Sequence, residues 1–147
     1  MGKASREQTV IDAPIETVWD LIGDPNRHPE WWPMVLDVEC SNLEEGCSYR
    51  SVQKRPFGGE EEHELTVEKL DGCREILIRC EDVGVYTRFI LTEAQGATFV
   101  EAEFGAEAKT VGMKVIGALA GRRYLKHWIG QTFDGLREAA AKQPPAS

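Results

Sequence analysis

No stretch of the chain reaches the roughly 20 consecutive apolar residues that a membrane-spanning helix needs, because charged side chains interrupt every long run. Stable membrane insertion is therefore not expected. Met1-Gly2-Lys3-Ala4-Ser5-Arg6 leads into polar residues rather than the apolar centre of a secretion signal, and its sixth position lacks the Ser or Thr of a myristoylation signal. The expectation is a cytoplasmic protein. Basic residues are few: 17 Lys and Arg stand against 25 Asp and Glu, for a net charge of −8. Such a surface repels phosphate backbones on average, so nucleic acid is not an expected partner. Ser-His-Asp contexts and nucleotide motifs are missing as well; Gly58-Gly59 is not followed by Lys and Ser or Thr, and no helix is expected to begin there. Cysteine is limited to Cys40, Cys47, Cys73 and Cys80, all read as lying in strands or at strand ends. In a reducing compartment they are expected as free thiols. Their seven-residue separations are wider than the Cys-x-x-Cys pairs typical of zinc sites. Neither a metal nor an organic cofactor is expected.

What the sequence does contain is a clear order of elements. Glu7 to Asp12 holds the β-branched Thr9, Val10 and Ile11, and Ala13-Pro14 then opens a helix. Val18, Leu21 and Ile22 share one face of that helix, with Trp19 beside them, and Gly23-Asp24-Pro25 stops it. Pro25 to Pro33 includes Trp31 and Trp32 and suits a short second helix pinned to the core by aromatic rings. Strand-like runs follow at Met34–Cys40, Cys47–Lys54, Glu61–Leu70, Arg74–Cys80, Val83–Thr92 and Thr98–Ala106. The turns between them are short, as an antiparallel meander requires.

Alternation places Leu65, Val67, Ile76, Ile78, Phe89, Leu91, Val100, Ala102 and Phe104 on one face, and Glu64, Glu68, Arg79, Glu101 and Glu103 on the other. From about Val111 to Ala141 the period becomes helical. Met113, Ile116, Ala120, Tyr124 and Trp128 form one stripe, and Leu125, Ile129, Phe133 and Leu136 form its neighbour. These elements predict an α+β helix-grip fold: a seven-stranded curved antiparallel sheet, two short helices after the first strand, and one long C-terminal helix packed across the sheet. One domain spans residues 1–142, and Gln143-Pro144-Pro145-Ala146-Ser147 forms a flexible tail. A curved sheet and a straight helix leave a cavity between them.

Val10-Ile11-Asp12-Ala13-Pro14-Ile15-Glu16-Thr17-Val18-Trp19, then Asp24-Pro25 and Pro29-Glu30-Trp31-Trp32-Pro33, resembles the opening of the polyketide cyclase/dehydrase family. That family belongs to the START and birch-pollen-allergen-like (SRPBCC) superfamily. The resemblance continues through Gly96-Ala97-Thr98 and Gly135-Leu136-Arg137 and covers nearly the whole chain. It implies the helix-grip fold. It does not choose among the aromatase/cyclases, lipid and sterol carriers and hormone receptors that share the fold, and the opening motif itself is structural.

An apolar ligand would meet Leu65, Phe89, Phe104, Met113, Ile116 and Ala120, with Gly117 and Gly121 leaving room, and Tyr124 and Trp128 offering polar tips. Plain core packing is the competing reading of Tyr124 and Trp128. The resemblance puts Trp31 and Trp32 at the pocket mouth, with one of them touching ligand and the other holding the helix down, while His28 and Glu30 are expected in solvent. Tyr49 and Ser51 share a face with Cys47 and Gln53. They are either a polar pocket wall or a surface-facing or simply satisfied pair. His63 is in phase with Leu65 and Val67 and is either an inward group near a strand end, able to bond a ligand or act as a base, or a partly exposed structural histidine, since nothing in the sequence supplies it with an orienting partner. Tyr86 and Arg88 are expected outside. Lys54 to Gly59 is either a lid or an ordinary hairpin tip, and Arg122, Arg123, Lys126 and His127 form a basic face of the last helix.

Catalytic residues are not assignable from this pattern. Binding of an apolar, lipid- or polyketide-like small molecule ranks first. A metal-free cyclase/dehydratase working by acid/base help ranks second, and a stress or regulatory protein acting through a protein partner third.

Overall fold

The computed structural model describes residues 3–54, 58–80, 84–106 and 111–142, with side chains from Ser5 to Gly105 within those stretches and from Lys126 on. In chain order the elements are β1 (Lys3–Ile11), α1 (Ile15–Ile22), a 3-10 turn (Pro25–Arg27), α2 (His28–Trp31), β2 (Val35–Glu39), β3 (Ser48–Lys54), β4 (Glu60–Asp71), β5 (Glu75–Cys80), β6 (Val85–Ala94), β7 (Ala97–Ala106) and α3 (Val111–Ala141). The strands form one sheet in the order β1-β7-β6-β5-β4-β3-β2, every neighbouring pair antiparallel. This is the helix-grip fold.

β1 begins four residues earlier than its β-branched core suggests. Its pairing with β7 runs from Lys3 opposite Ala106 to Ile11 opposite Thr98. Arg6 and Gln8 bond Glu103 and Glu101 across the outer face, so polar residues extend the strand as well as apolar ones do. Gln95 and Gly96 both have positive φ (53° and 87°) and join Ala94 to Ala97 as a two-residue hairpin of the twist-matching kind. Register shifts between Val35 and Asp37 in β2 and between Val67 and Lys69 in β4 mark bulges that bend the sheet. The bulge in β4 turns both Glu68 and Lys69 to solvent and returns Leu70 to the inner side.

α1 buries Val18, Leu21 and Ile22. It ends where the Gly23 N–H bonds the Trp19 carbonyl and the Trp19 ring covers Gly23. Asp24 then accepts from the Asn26 N–H to start the 3-10 turn, and the Asn26 side chain bonds both backbone groups of Cys40, tying that turn to the end of β2. α2 is held by the Trp31 indole N–H, which donates to the Leu21 carbonyl at 2.8 Å.

The inner-face residues predicted from alternation are all buried. α3 covers them together with α1 and α2, burying Ile129, Phe133 and Leu136 and packing against β1, β7, α1 and α2. None of the described helices is long and apolar enough to cross a membrane. Cys73, expected in a strand or at a strand end, lies in the β4–β5 turn with φ 60°, because the hairpin needs one left-handed residue there. The tail from residue 143 and the tip at residues 55–57 lie outside the described residues.

Candidate functional site

The inner face of β3 to β6 does not meet the helical layer everywhere. A cavity of about 190 Å³ remains, bounded on the helical side by His28, Trp32 and Trp128 and on the sheet side by Tyr49, Ser51, Gln53, His63, Leu65, Ile78, Cys80 and Thr87. Strand register explains this polar wall. Ser51 is paired with His63 and Gln53 with Glu61 across β3 and β4, while Cys80 on β5 stands opposite Leu65, so inward polar residues form adjacent rows. Gln53 Nε2 donates to Ser51 Oγ at 3.3 Å.

His63 bridges two partners. Its Nε2 lies 3.1 Å from Glu61 Oε2 and its Nδ1 lies 3.6 Å from Cys80 Sγ. An ionised carboxylate only accepts, so the neutral imidazole carries its proton on Nε2, and the Nδ1 lone pair faces the Cys80 thiol. The two ring nitrogens thus point to different partners rather than converging. Among the described residues no cluster of His, Cys, Asp and Glu is arranged to hold a metal ion.

His28 corrects an expectation. Instead of standing in solvent it is 1% exposed, its Nε2–H donates to the Ile22 carbonyl at 2.8 Å, and Trp31 and Trp32 pack edge-on against its ring. The carbonyl left open at the end of α1 needs a donor in an apolar setting, and the imidazole supplies one. Burial lowers the His28 pKa to about 4, with the Ile22 bond and Asp24 pulling weakly the other way, so it is neutral at physiological pH. Glu30 does stand in solvent, paired with Arg27.

Tyr49 and Ser51 are buried and line the cavity rather than facing the surface. Burial, with Cys40 and Cys47 nearby, pushes the Tyr49 phenol well above its ordinary pKa, so it remains a neutral hydroxyl. Trp32 lines the cavity, and its buried Nε1–H has no acceptor among the described residues. Such an orphaned donor costs about 1–3 kcal/mol.

Of the other residues singled out from sequence, Leu65 and Trp128 also line the cavity. Phe89 and Phe104 lie in the aromatic cluster behind it, where Trp31 and Trp32 stack at 5.3 Å and Phe104 meets Trp128 edge-on at 4.8 Å. Trp31 lines a shallow external groove of about 460 Å³ between α2 and the end of α3, edged by Glu138 and Lys142. The side chains of Met113, Ile116, Ala120, Arg122, Arg123 and Tyr124 and the surroundings of Gly117 and Gly121 lie outside what the structure describes. Lys126 is exposed and reaches Glu7 at 4.0 Å, and His127 is exposed. Tyr86 and Arg88 are on the outer face, bonded to Glu103 and Glu75.

Glu61, Cys80 and Thr87 are members of the site that the sequence reading does not place there, and His28 is one it puts in solvent. Glu61 shares the face of His63 by the same two-residue period that assigns Leu65, so it is the orienting partner the sequence seemed not to offer. Cys80 was weighed only as a thiol or metal ligand, and its meeting with His63 needs the β4–β5 register.

The chain matches, over residues 3–140, the profile of the family described as polyketide cyclase / dehydrase and lipid transport. It belongs to this family. Comparison with curated protein sequences finds no match. Among solved structures, a protein of unknown function from Staphylococcus aureus is similar with a TM-score of 0.76 at 13% identity, covering 96% of this chain and 94% of that one. The di-domain ARO/CYC BexL from the BE-7585A biosynthetic pathway is similar with a TM-score of 0.73 at 19% identity. That match covers 97% of this chain and 51% of BexL, so the chain spans about half the length of that di-domain protein. Ara h 8.0201 is similar with a TM-score of 0.66 at 11% identity, covering 97% and 100%. At these identities the likenesses establish the fold, that of the SRPBCC superfamily to which the polyketide cyclase/dehydrase family belongs.

Proposed function

We propose that this polyketide cyclase/dehydrase family member binds a small, mainly apolar molecule carrying a carbonyl or hydroxyl oxygen in the cavity between β3–β6 and the helical layer. The observation that carries this reading is the two-sided lining. Trp32, Trp128, Leu65 and Ile78 supply apolar surface, while Ser51, Gln53 and His63 supply polar groups that orient a ligand. At about 190 Å³ the space is below the roughly 300–1,000 Å³ of drug-sized sites, which favours a compact ligand.

The test is a titration with n-pentyl ethyl ketone, followed by the fluorescence of Trp32 and Trp128 and by native mass spectrometry. Saturable quenching with a one-to-one complex is expected, and Leu65→Trp, which fills the cavity, abolishes it while the chain still melts cooperatively. Absence of binding in the wild type overturns the reading. Cyclase/dehydratase chemistry is the second reading, favoured by the Glu61–His63 pair facing the cavity as a positioned acid/base. Incubation with metabolite extracts separates the two: a retained, unchanged compound supports the binder, and a cyclised or dehydrated product supports the enzyme.

A further inference from the structure

The Glu61–His63–Cys80 row has the arrangement that activates a thiol. An imidazole nitrogen with a free lone pair lies 3.6 Å from Cys80 Sγ, and its other nitrogen is fixed at 3.1 Å from a carboxylate. All three residues line the same cavity. A structural cysteine needs none of this. It behaves as a small hydrophobe, and satisfying a weak S–H donor does not require an imidazole that is itself oriented by a carboxylate. Opposite the row, Trp32 lines the cavity, and its buried N–H has no acceptor among the described residues. A nucleophile on the same wall as the polar Ser51 and Gln53 fits a ligand whose electrophilic carbon is conjugated to a carbonyl.

Building on the cavity as the ligand site, we infer that Cys80 is a nucleophile that captures α,β-unsaturated carbonyl compounds by conjugate addition, with His63 as its base and Glu61 positioning His63. The Cys80 S–H bond breaks and its proton passes to His63 Nδ1. A bond forms between Sγ and the β-carbon as the carbon–carbon π bond breaks, and the electron pair moves to the enolate oxygen. His63 then returns the proton to the α-carbon. Every atom of the ligand stays in the adduct, no co-reactant is consumed, and reversal of the same steps releases the ligand.

The full chain is incubated with n-pentyl vinyl ketone at neutral pH and followed by intact mass and peptide mapping. The expected product carries one added ketone on Cys80, formed about tenfold or more faster than on the more exposed Cys73. His63→Gln slows the Cys80 reaction by about tenfold or more and leaves Cys73 unchanged. Glu61→Gln moves the rate profile of Cys80 to higher pH, a change that a merely structural carboxylate does not cause. Preferential reaction at Cys73 overturns the inference, as does a Cys80 rate indifferent to both variants. The saturated n-pentyl ethyl ketone separates this from the underlying cavity reading. If it binds while Cys80 stays unmodified by the vinyl ketone, only the nucleophile is overturned; if neither ketone engages the cavity, both readings are.

Discussion

Gly135 of α3 lies so close to Trp31 of α2 that a Cβ on it would stand 2.0 Å from the Trp31 carbonyl oxygen. Backbone meets backbone there, and neither can yield without moving a helix. Gly135→Ala therefore destabilises the fold by about 1–3 kcal/mol, despite the better helix propensity of alanine. Gly130, five residues earlier in the same helix, is exposed and has nothing within 4 Å of the equivalent position. Gly130→Ala is expected to stabilise by up to about 1 kcal/mol. Urea denaturation of the two variants distinguishes close approach from a general effect of glycine in a helix.

Acid sensitivity traces to His28. With its pKa held at about 4 in the folded chain against an ordinary value of 6.5, the unfolded chain binds more protons between those values. Stability therefore rises with pH across that window and falls as acid is added from about 6.5 toward 4, by a total of roughly 3 kcal/mol. Urea midpoints measured across the window follow this slope in the wild type. In His28→Gln, whose amide nitrogen reaches the position of Nε2 and keeps a donor for the Ile22 carbonyl but does not titrate, the slope flattens. The acidic groups Glu30, Glu75 and Glu103 have pKa values lowered below the ordinary 4.5, so they act at the bottom of the window and beyond.

The Tyr86 ring lies over Gly105 of the neighbouring strand, where a Cβ would stand 2.4 Å from it, and its hydroxyl donates to Glu103 at 2.5 Å. That bond is the foremost cause of the lowered Glu103 pKa, with the Arg6 bond next. Tyr86→Phe is expected to cost about 1 kcal/mol and to raise the Glu103 pKa toward the ordinary range. Carbon-detected NMR titration of the carboxylates reads the second effect directly. Gly105→Ala should cost more, because it displaces the ring as well as the bond.

The fold was legible because its signals are local. Two-residue alternation identified the inner face, and the change to helical period located α3 from Val111 to Ala141. The residues that carried the family resemblance prove to be points where elements touch. Thr98 Oγ1 donates to the Ala13 carbonyl at the entry to α1, Arg137 reaches Thr9 at 2.6 Å, and Gly135 admits the Trp31 carbonyl. Their signature is therefore strong for architecture and silent on chemistry. The site was less legible because it depends on register between strands. His63 and Cys80 are 17 residues apart and meet only after the β4–β5 pairing is set. His28 was misplaced because a polar residue among prolines reads as loop, whereas its burial follows from an open carbonyl at the end of α1.

Trp32 offers the sharpest test of ligand polarity. Its ring lines the cavity and its Nε1–H is closed off by protein atoms with no acceptor among the described residues, so a ligand oxygen that gains access to it by a side-chain shift forms a hydrogen bond without displacing another partner. Trp32→Phe removes that donor and some apolar surface together. Comparing n-pentyl ethyl ketone with a hydrocarbon of equal length cancels the loss of surface, because both ligands feel it. The preference for the ketone is expected to fall about five- to tenfold in the variant, the equivalent of about 1 kcal/mol for one neutral hydrogen bond. An unchanged preference would assign carbonyl recognition to Ser51, Gln53 and His63 on the sheet instead, because these groups remain when the indole is gone.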